Sequence, residues 1–163
     1  MNPRFDDKSV PGMWRALAGV ERYLVGCGLD RKLLDLVRLR TSQINGCAYC
    51  IDMHWKDLRA AGEGEQRLYG LDGWRESPYY SDPERAALAW TEAVTLVDRT
   101  HVPDSTFEEV KPFFSETDLA NLTLAIGMIN LWNRILTASR REPGTYRVQQ
   151  FKAAEAGQLK KAG

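Results

Sequence analysis

Residues 33–63 read LLDLVRLRTSQINGCAYCIDMHWKDLRAAGE. Leu33, Leu34, Val37 and Ile44 recur at helical spacing, and Asp30 stands where an N-cap is needed. Asn45-Gly46 interrupts that pattern. A second helix is predicted from near Cys47 to Ala61, with Gly62 as its stop. No stretch of strand length alternates apolar and polar residues with β-branched enrichment, so the chain reads as all-α.

Outward from this centre the pattern stays helical. Residues 12–26 place Trp14, Leu17, Val20 or Glu21, and Leu24 on one face. Downstream, EGEQRLYG (63–70) predicts a short helix before a loop of Gly, Pro, Ser and Tyr. Asp82-Pro83 is a start signal, N-cap then Pro, for a helix that stops before Pro103. Asp104 is placed to cap a short helix to Phe113 or Phe114. Ser115-Glu-Thr-Asp118 reads as a capping box with Asp in place of the usual Glu. The helix after it, to about Ser139, is apolar nearly all round and is expected at the centre of a single-domain bundle. Pro143-Gly144 marks a turn. The domain is expected to span 1–163 with its core at about 12–141, and segments 1–11 and 153–163 are expected to be poorly ordered.

Composition sets further bounds. The 163 residues are 44% hydrophobic and 27% charged, an ordinary globular balance. Lys plus Arg and Asp plus Glu are both 22, so the electrostatic footprint of a nucleic-acid binder is missing. The opening MNPRFDDKSVPGMW has no apolar run and does not read as a secretory signal. The longest apolar stretch, Leu122 to Trp132, is broken by Asn130, so no membrane span is expected. Three cysteines then point to a reducing, cytoplasmic setting, where Cys-x-x-Cys means redox chemistry or a metal more often than a staple.

The chemistry concentrates in Cys47-Ala-Tyr-Cys50-Ile-Asp-Met-His54. Offsets of three and seven put two thiols and an imidazole on one helical stripe. A helix N-terminus favours a thiolate, and an imidazole one turn on can accept a thiol proton. The dipole favours Cys47 as nucleophile and the nearby base favours Cys50. We assign Cys50, because a base offers the proton a route as well as a field. Two other readings stay open. Cys27 could complete a Cys₃His zinc set, although three ligands crowded on one helix are unusual for zinc. The three side chains could also simply pack a core.

The run at 33–63, together with ERAALAWTEAVTLV (84–97) and FSETDLANLTLAIGMINLWNRI (114–135), resembles the alkylhydroperoxidase D / carboxymuconolactone decarboxylase superfamily. The shared motif is an acidic residue, eleven intervening residues, then Cys-x-x-Cys-x-x-x-His. The resemblance covers roughly residues 12–141. It implies an all-helical fold, assembly as a homotrimer or homohexamer, and thiol peroxidase or disulfide reductase activity without a bound cofactor or metal. It implies Cys50 as the peroxidatic thiol, Cys47 as the resolving thiol, His54 as proton acceptor, and Asp35 as the acidic member of the relay. The family usually has Glu at the Asp35 position, and peroxidase members carry His where Tyr49 stands. The partners implied are a peroxide substrate and an external dithiol or thiol-protein reductant, with neither nucleic acid nor membrane. Rival readings are a decarboxylase of the same superfamily, which has no use for paired thiols, and a non-enzymatic redox-sensing or metal-binding oligomer.

Other positions have plainer readings. Cys27 is expected to be an inert thiol and His101 a surface or capping residue. Asn133 and Arg134 need polar partners on an apolar helix, in the core, at the redox pocket or at a subunit contact. Trp74, Tyr79 and Tyr80 either cover a site or stand singly at the surface.

Overall fold

The structure, a computed structural model, describes residues 2–6 and 9–148. The expected loose segment at 153–163 lies outside the described residues. Eight α-helices run through the described residues: α1 (Pro11–Val25), α2 (Arg31–Asn45), α3 (Ala48–Ala60), α4 (Glu65–Tyr69), α5 (Asp82–Thr95), α6 (Val97–Thr100), α7 (Asp104–Val110) and α8 (Glu116–Ser139). No strand occurs among them, so the fold is all-α.

Helix α2 is the hub, packed against α3, α5 and α8. Its start is fixed as the sequence indicates: the Asp30 carboxylate accepts from the Leu33 N–H at 2.9 Å, a cap worth ~1 kcal/mol. Its end is set by Gly46 at φ 66°, with Gly46 N–H donating to Gln43 O and Cys47 N–H to Ser42 O. These are the paired bonds of a Schellman ending. A side chain at position 46 would strain the turn by roughly 1–2 kcal/mol. The turn folds α3 back along α2, which is what brings Asp35 and His54 together.

Two predicted caps move by one residue. Ser81, not Asp82, caps α5 in a capping box with Glu84, and Asp104 is the first residue of α7 rather than its cap. A longer Ser81 motif outcompetes the local Asp-Pro signal because it satisfies two backbone donors at once. The Ser115–Asp118 box on α8 forms as read, with the Asp118 N–H donating to Ser115 Oγ at 3.1 Å.

Helix α8 buries Leu122, Ala125, Ile126, Ile129 and Leu136, yet it is not enclosed on all sides. Leu124 and Leu131 stay 41% and 40% exposed, one stripe of the helix with Gly127 between them. Trp74 and Tyr80 cover no site. Both are buried in a cluster with Leu36, Leu39, Leu58 and Leu88, and the Trp74 indole donates to Glu92 at 2.8 Å. His101 is exposed and closes α6 in the left-handed conformation, the capping role expected of it. No helix of the described residues is long and apolar enough to cross a membrane.

Candidate active site

Cys47 is the N-cap of α3, with extended backbone (φ −81°, ψ 94°), and Cys50 sits in the first turn. Both thiols are free and buried, and their sulfurs are 2.8 Å apart. That is within about an ångström of the ~2.05 Å covalent length. One thiol donates to the other, so the pair holds a single shared proton once it ionises. Cys47 is brought down to about 6, chiefly because Cys50 hydrogen-bonds to it. Cys50 is pushed up by that same bond, by burial and by the neighbouring charge. Asn133 on α8 lies beside both thiols and helps hold the negative charge on either.

Cys47, as the cap, lacks helical dihedrals, yet its sulfur still meets that of Cys50 three residues on, as the spacing indicates. Cys50, His54 and Asp35 line one cavity of about 370 Å³. Cys47 lines another, of about 490 Å³, with Thr137, Arg140 and Arg141. Tyr49 and Leu136 belong to both walls and form the partition.

His54 is 5% exposed, and neither ring nitrogen has a hydrogen-bond partner. The expected His54–Cys50 hydrogen bond is thus not formed here. Nδ1 lies 3.7 Å from Asp35 Oδ1, an ion-pair distance beyond hydrogen-bond length. Burial alone would raise the Asp35 carboxyl, but His54 and Arg38 outweigh it and hold it below the ordinary carboxylate range. The Arg38 guanidinium donates to Asp35 Oδ1 at 3.1 Å and to Glu21 Oε2 at 2.9 Å. Glu21 also accepts from the Trp132 indole at 3.0 Å. A chain of charge from α1 to α3 thereby fixes the carboxylate facing the imidazole.

The substrate-sized cavity is walled largely by apolar side chains, among them Trp14, Leu24, Met53 and Trp132. Its far wall is supplied by Tyr146, from the segment after α8. The Tyr146 hydroxyl donates to Asp57 Oδ1 at 2.8 Å, Lys56 Nζ donates to the Tyr146 carbonyl at 3.3 Å, and Gly144 N–H donates to Asp52 at 3.2 Å. Burial pushes the Asp57 carboxyl up, against that hydrogen bond.

All four sequence-derived residues, Cys47, Cys50, His54 and Asp35, thus gather at one locus. Cys27 does not join them. It packs against Leu24, Leu34, Ala125 and Met128 in a separate cluster. Among the described residues no three His, Cys, Asp or Glu side chains converge as a metal site. Glu21, Arg38 and Tyr146 were missed by sequence reasoning. Arg38 carried a signal, one turn beyond Asp35 on a helix otherwise apolar there. Tyr146, 89 residues from Asp57, carried none. The open question over Asn133 is settled by its position: it is 1% exposed and donates to Ser42 Oγ at 3.1 Å, between the thiols and α2. Arg134 is exposed and bonds only back to Asn130 among the contacts described.

Known proteins are similar to this chain in sequence and in fold. The chain is 41% identical over 128 residues to the uncharacterized protein YdfG of Bacillus subtilis, covering 78% of this chain and 87% of that one. A crystal structure from Agrobacterium tumefaciens, of a protein of unknown function proposed to be an antioxidant defence protein AhpD, superposes with a TM-score of 0.85. It is 40% identical and covers 89% of this chain and 100% of that one. A shorter match, 44% identical over 41 residues, is to the alkyl hydroperoxide reductase AhpD of Bradyrhizobium diazoefficiens, covering 25% of this chain and 22% of that one. The sequence pattern described as the Carboxymuconolactone decarboxylase family matches residues 9–93, from the start of α1 through most of α5 and across both cysteines. With the helical fold and these matches together, the chain belongs to the carboxymuconolactone decarboxylase family.

Proposed function

We propose that the protein is a thiol-dependent oxidoreductase that reduces an organic hydroperoxide through the Cys47–Cys50 pair. The observation that carries this reading is two contacting, buried thiols, one of them on an apolar cavity that also holds an unpartnered imidazole and a carboxylate. Cys50 faces that cavity and is the attacking sulfur. Cys50 becomes the thiolate by passing the shared proton to Cys47 across the 2.8 Å contact. The Cys50 thiolate attacks the terminal peroxide oxygen, the O–O bond breaks, and Cys50 becomes a sulfenic acid. His54, held opposite Asp35, supplies the proton that turns the leaving alkoxide into an alcohol. Cys47 then attacks the Cys50 sulfur, water leaves, and the disulfide forms. External thiols restore the pair.

In this reading the protein works in the cytoplasm as a homotrimer or homohexamer, with the exposed Leu124–Leu131 stripe of α8 as a subunit contact. The test is a sulfenic-acid trap. With cumene hydroperoxide and dimedone, Cys47→Ser should carry one adduct at Cys50, and Cys50→Ser should consume no peroxide. An adduct at Cys47 in Cys50→Ser, with none at Cys50 in Cys47→Ser, would exchange the roles. No peroxide-dependent disulfide in the unaltered protein would end the reading.

A further inference from the structure

We propose that the cavity behind Cys47, rimmed by Arg140 and Arg141, admits the reductant, a small thiol carrying a carboxylate that attacks the Cys47 sulfur. The proposal rests on the thiol-oxidoreductase reading and says where its second half-reaction occurs. Three observations lead to it. First, the two cysteines line different cavities, with Tyr49 and Leu136 on the walls of both, so each half-reaction has its own approach. Second, the charge differs. Arg140, Arg141 and Glu142 line the Cys47 cavity, one net positive charge, and Arg140 makes no ion pair among the described residues. Arg140 is also held at φ 59°, which fixes its backbone at the cavity rim. The Arg141 guanidinium lies 5.8 Å from the Tyr49 ring centre, which anchors it on the partition. Third, the space is about 490 Å³, room for a small organic molecule, while Cys47 is only 2% exposed. The flat surface around a protein thiol would not reach that sulfur, whereas a thiol on a short flexible chain would.

The chemistry balances. The reductant thiolate forms a bond to Cys47 Sγ, the Cys47–Cys50 bond breaks, and Cys50 leaves with the electron pair. Hydrogen bonds from Asn133 and Ser42 favour that thiolate. A second reductant thiol attacks the first reductant's sulfur and releases Cys47. Two electrons pass to the protein, two reductant thiols become one disulfide, and their protons return to the Cys47–Cys50 pair.

The experiment starts from disulfide made with diamide, so it does not depend on any peroxide. Reduction rates are compared for 3-mercaptopropionate and its neutral amide at low ionic strength, each corrected for thiolate fraction. The carboxylate should be preferred about five-fold, and the preference should fade with salt. Arg140→Glu should invert the preference while leaving the amide rate within about two-fold, and Arg140→Lys should retain it. Arg31→Glu, on the wall of the substrate cavity, should leave the preference for the carboxylate unchanged. If Arg31→Glu alters the preference and Arg140→Glu does not, the reductant enters beside Cys50 and the inference falls. It falls equally if the two thiols react alike in every variant. A protein that shows the Arg140 dependence but is not oxidised by any hydroperoxide keeps this inference and loses the peroxidase reading.

Discussion

Replacing Cys50 by Ala isolates what holds negative charge on Cys47. In the intact pair Cys47 stands at about 6 against an ordinary 9.0, and the leading cause is the hydrogen bond from Cys50. That is roughly a thousand-fold in ionisation constant, or about 4 kcal/mol. The N-cap position cannot supply this alone, since a helix terminus contributes only about 0.3–1 kcal/mol. Cys50→Ala removes the side-chain donor and leaves burial, which opposes ionisation, with the backbone N–H of residue 50, Thr137 and Asn133 as the remaining donors. The Cys47 midpoint should rise to about 8 or above. At pH 7 its thiolate fraction should then drop from roughly 90% to below about 10%, and the alkylation rate by about ten-fold. Cys50→Ser keeps an O–H donor and should fall between. The assay is iodoacetamide labelling across pH 4–10 in a Cys27→Ser background, read by mass spectrometry. A midpoint that stays near 6 in Cys50→Ala would refute the hydrogen-bond account and return the effect to the backbone at the start of α3.

Three further outcomes follow from the site. Arg38→Met should cost about 3 kcal/mol in urea unfolding, because it leaves the buried Asp35 carboxylate without its hydrogen-bonded cation, and adding Asp35→Asn should recover part of that; an unchanged midpoint would contradict it. Because the folded Asp35 carboxyl is held below its ordinary value, its stabilisation is present above about pH 4 and lost as pH falls through the depressed folded value. Asp35→Asn should flatten the acid limb of stability, and a limb as steep as before would show that the depression is not real. Leu131→Lys should yield a smaller species in light scattering than the unaltered protein, whereas a single-chain mass for both would remove α8 as a subunit contact.

The sequence by itself determined the helices, because their signals are local. Asp30, Gly46, the Ser115–Asp118 box and the apolar spacing of α2 each act within a turn or two, and the structure uses all of them. The Cys-x-x-Cys-x-x-x-His spacing likewise pointed to groups that the fold keeps together, since thiols and an imidazole so near in sequence stay near in space. What tertiary structure decided was how those groups are shared out. The backbone of Cys47 leaves helical dihedrals at the cap, and the two cysteines line different cavities although only two residues lie between them. Glu21, Arg38 and Tyr146 reach the site from α1, α2 and the segment beyond α8. Their contacts depend on how helices pack, and no periodicity along the chain encodes a partner 89 residues away. The thiol charge was decided the same way. Spacing pointed to His54 as the group that ionises Cys50, but packing leaves that imidazole without a hydrogen bond and presses the sulfurs together, so the thiols hydrogen-bond each other.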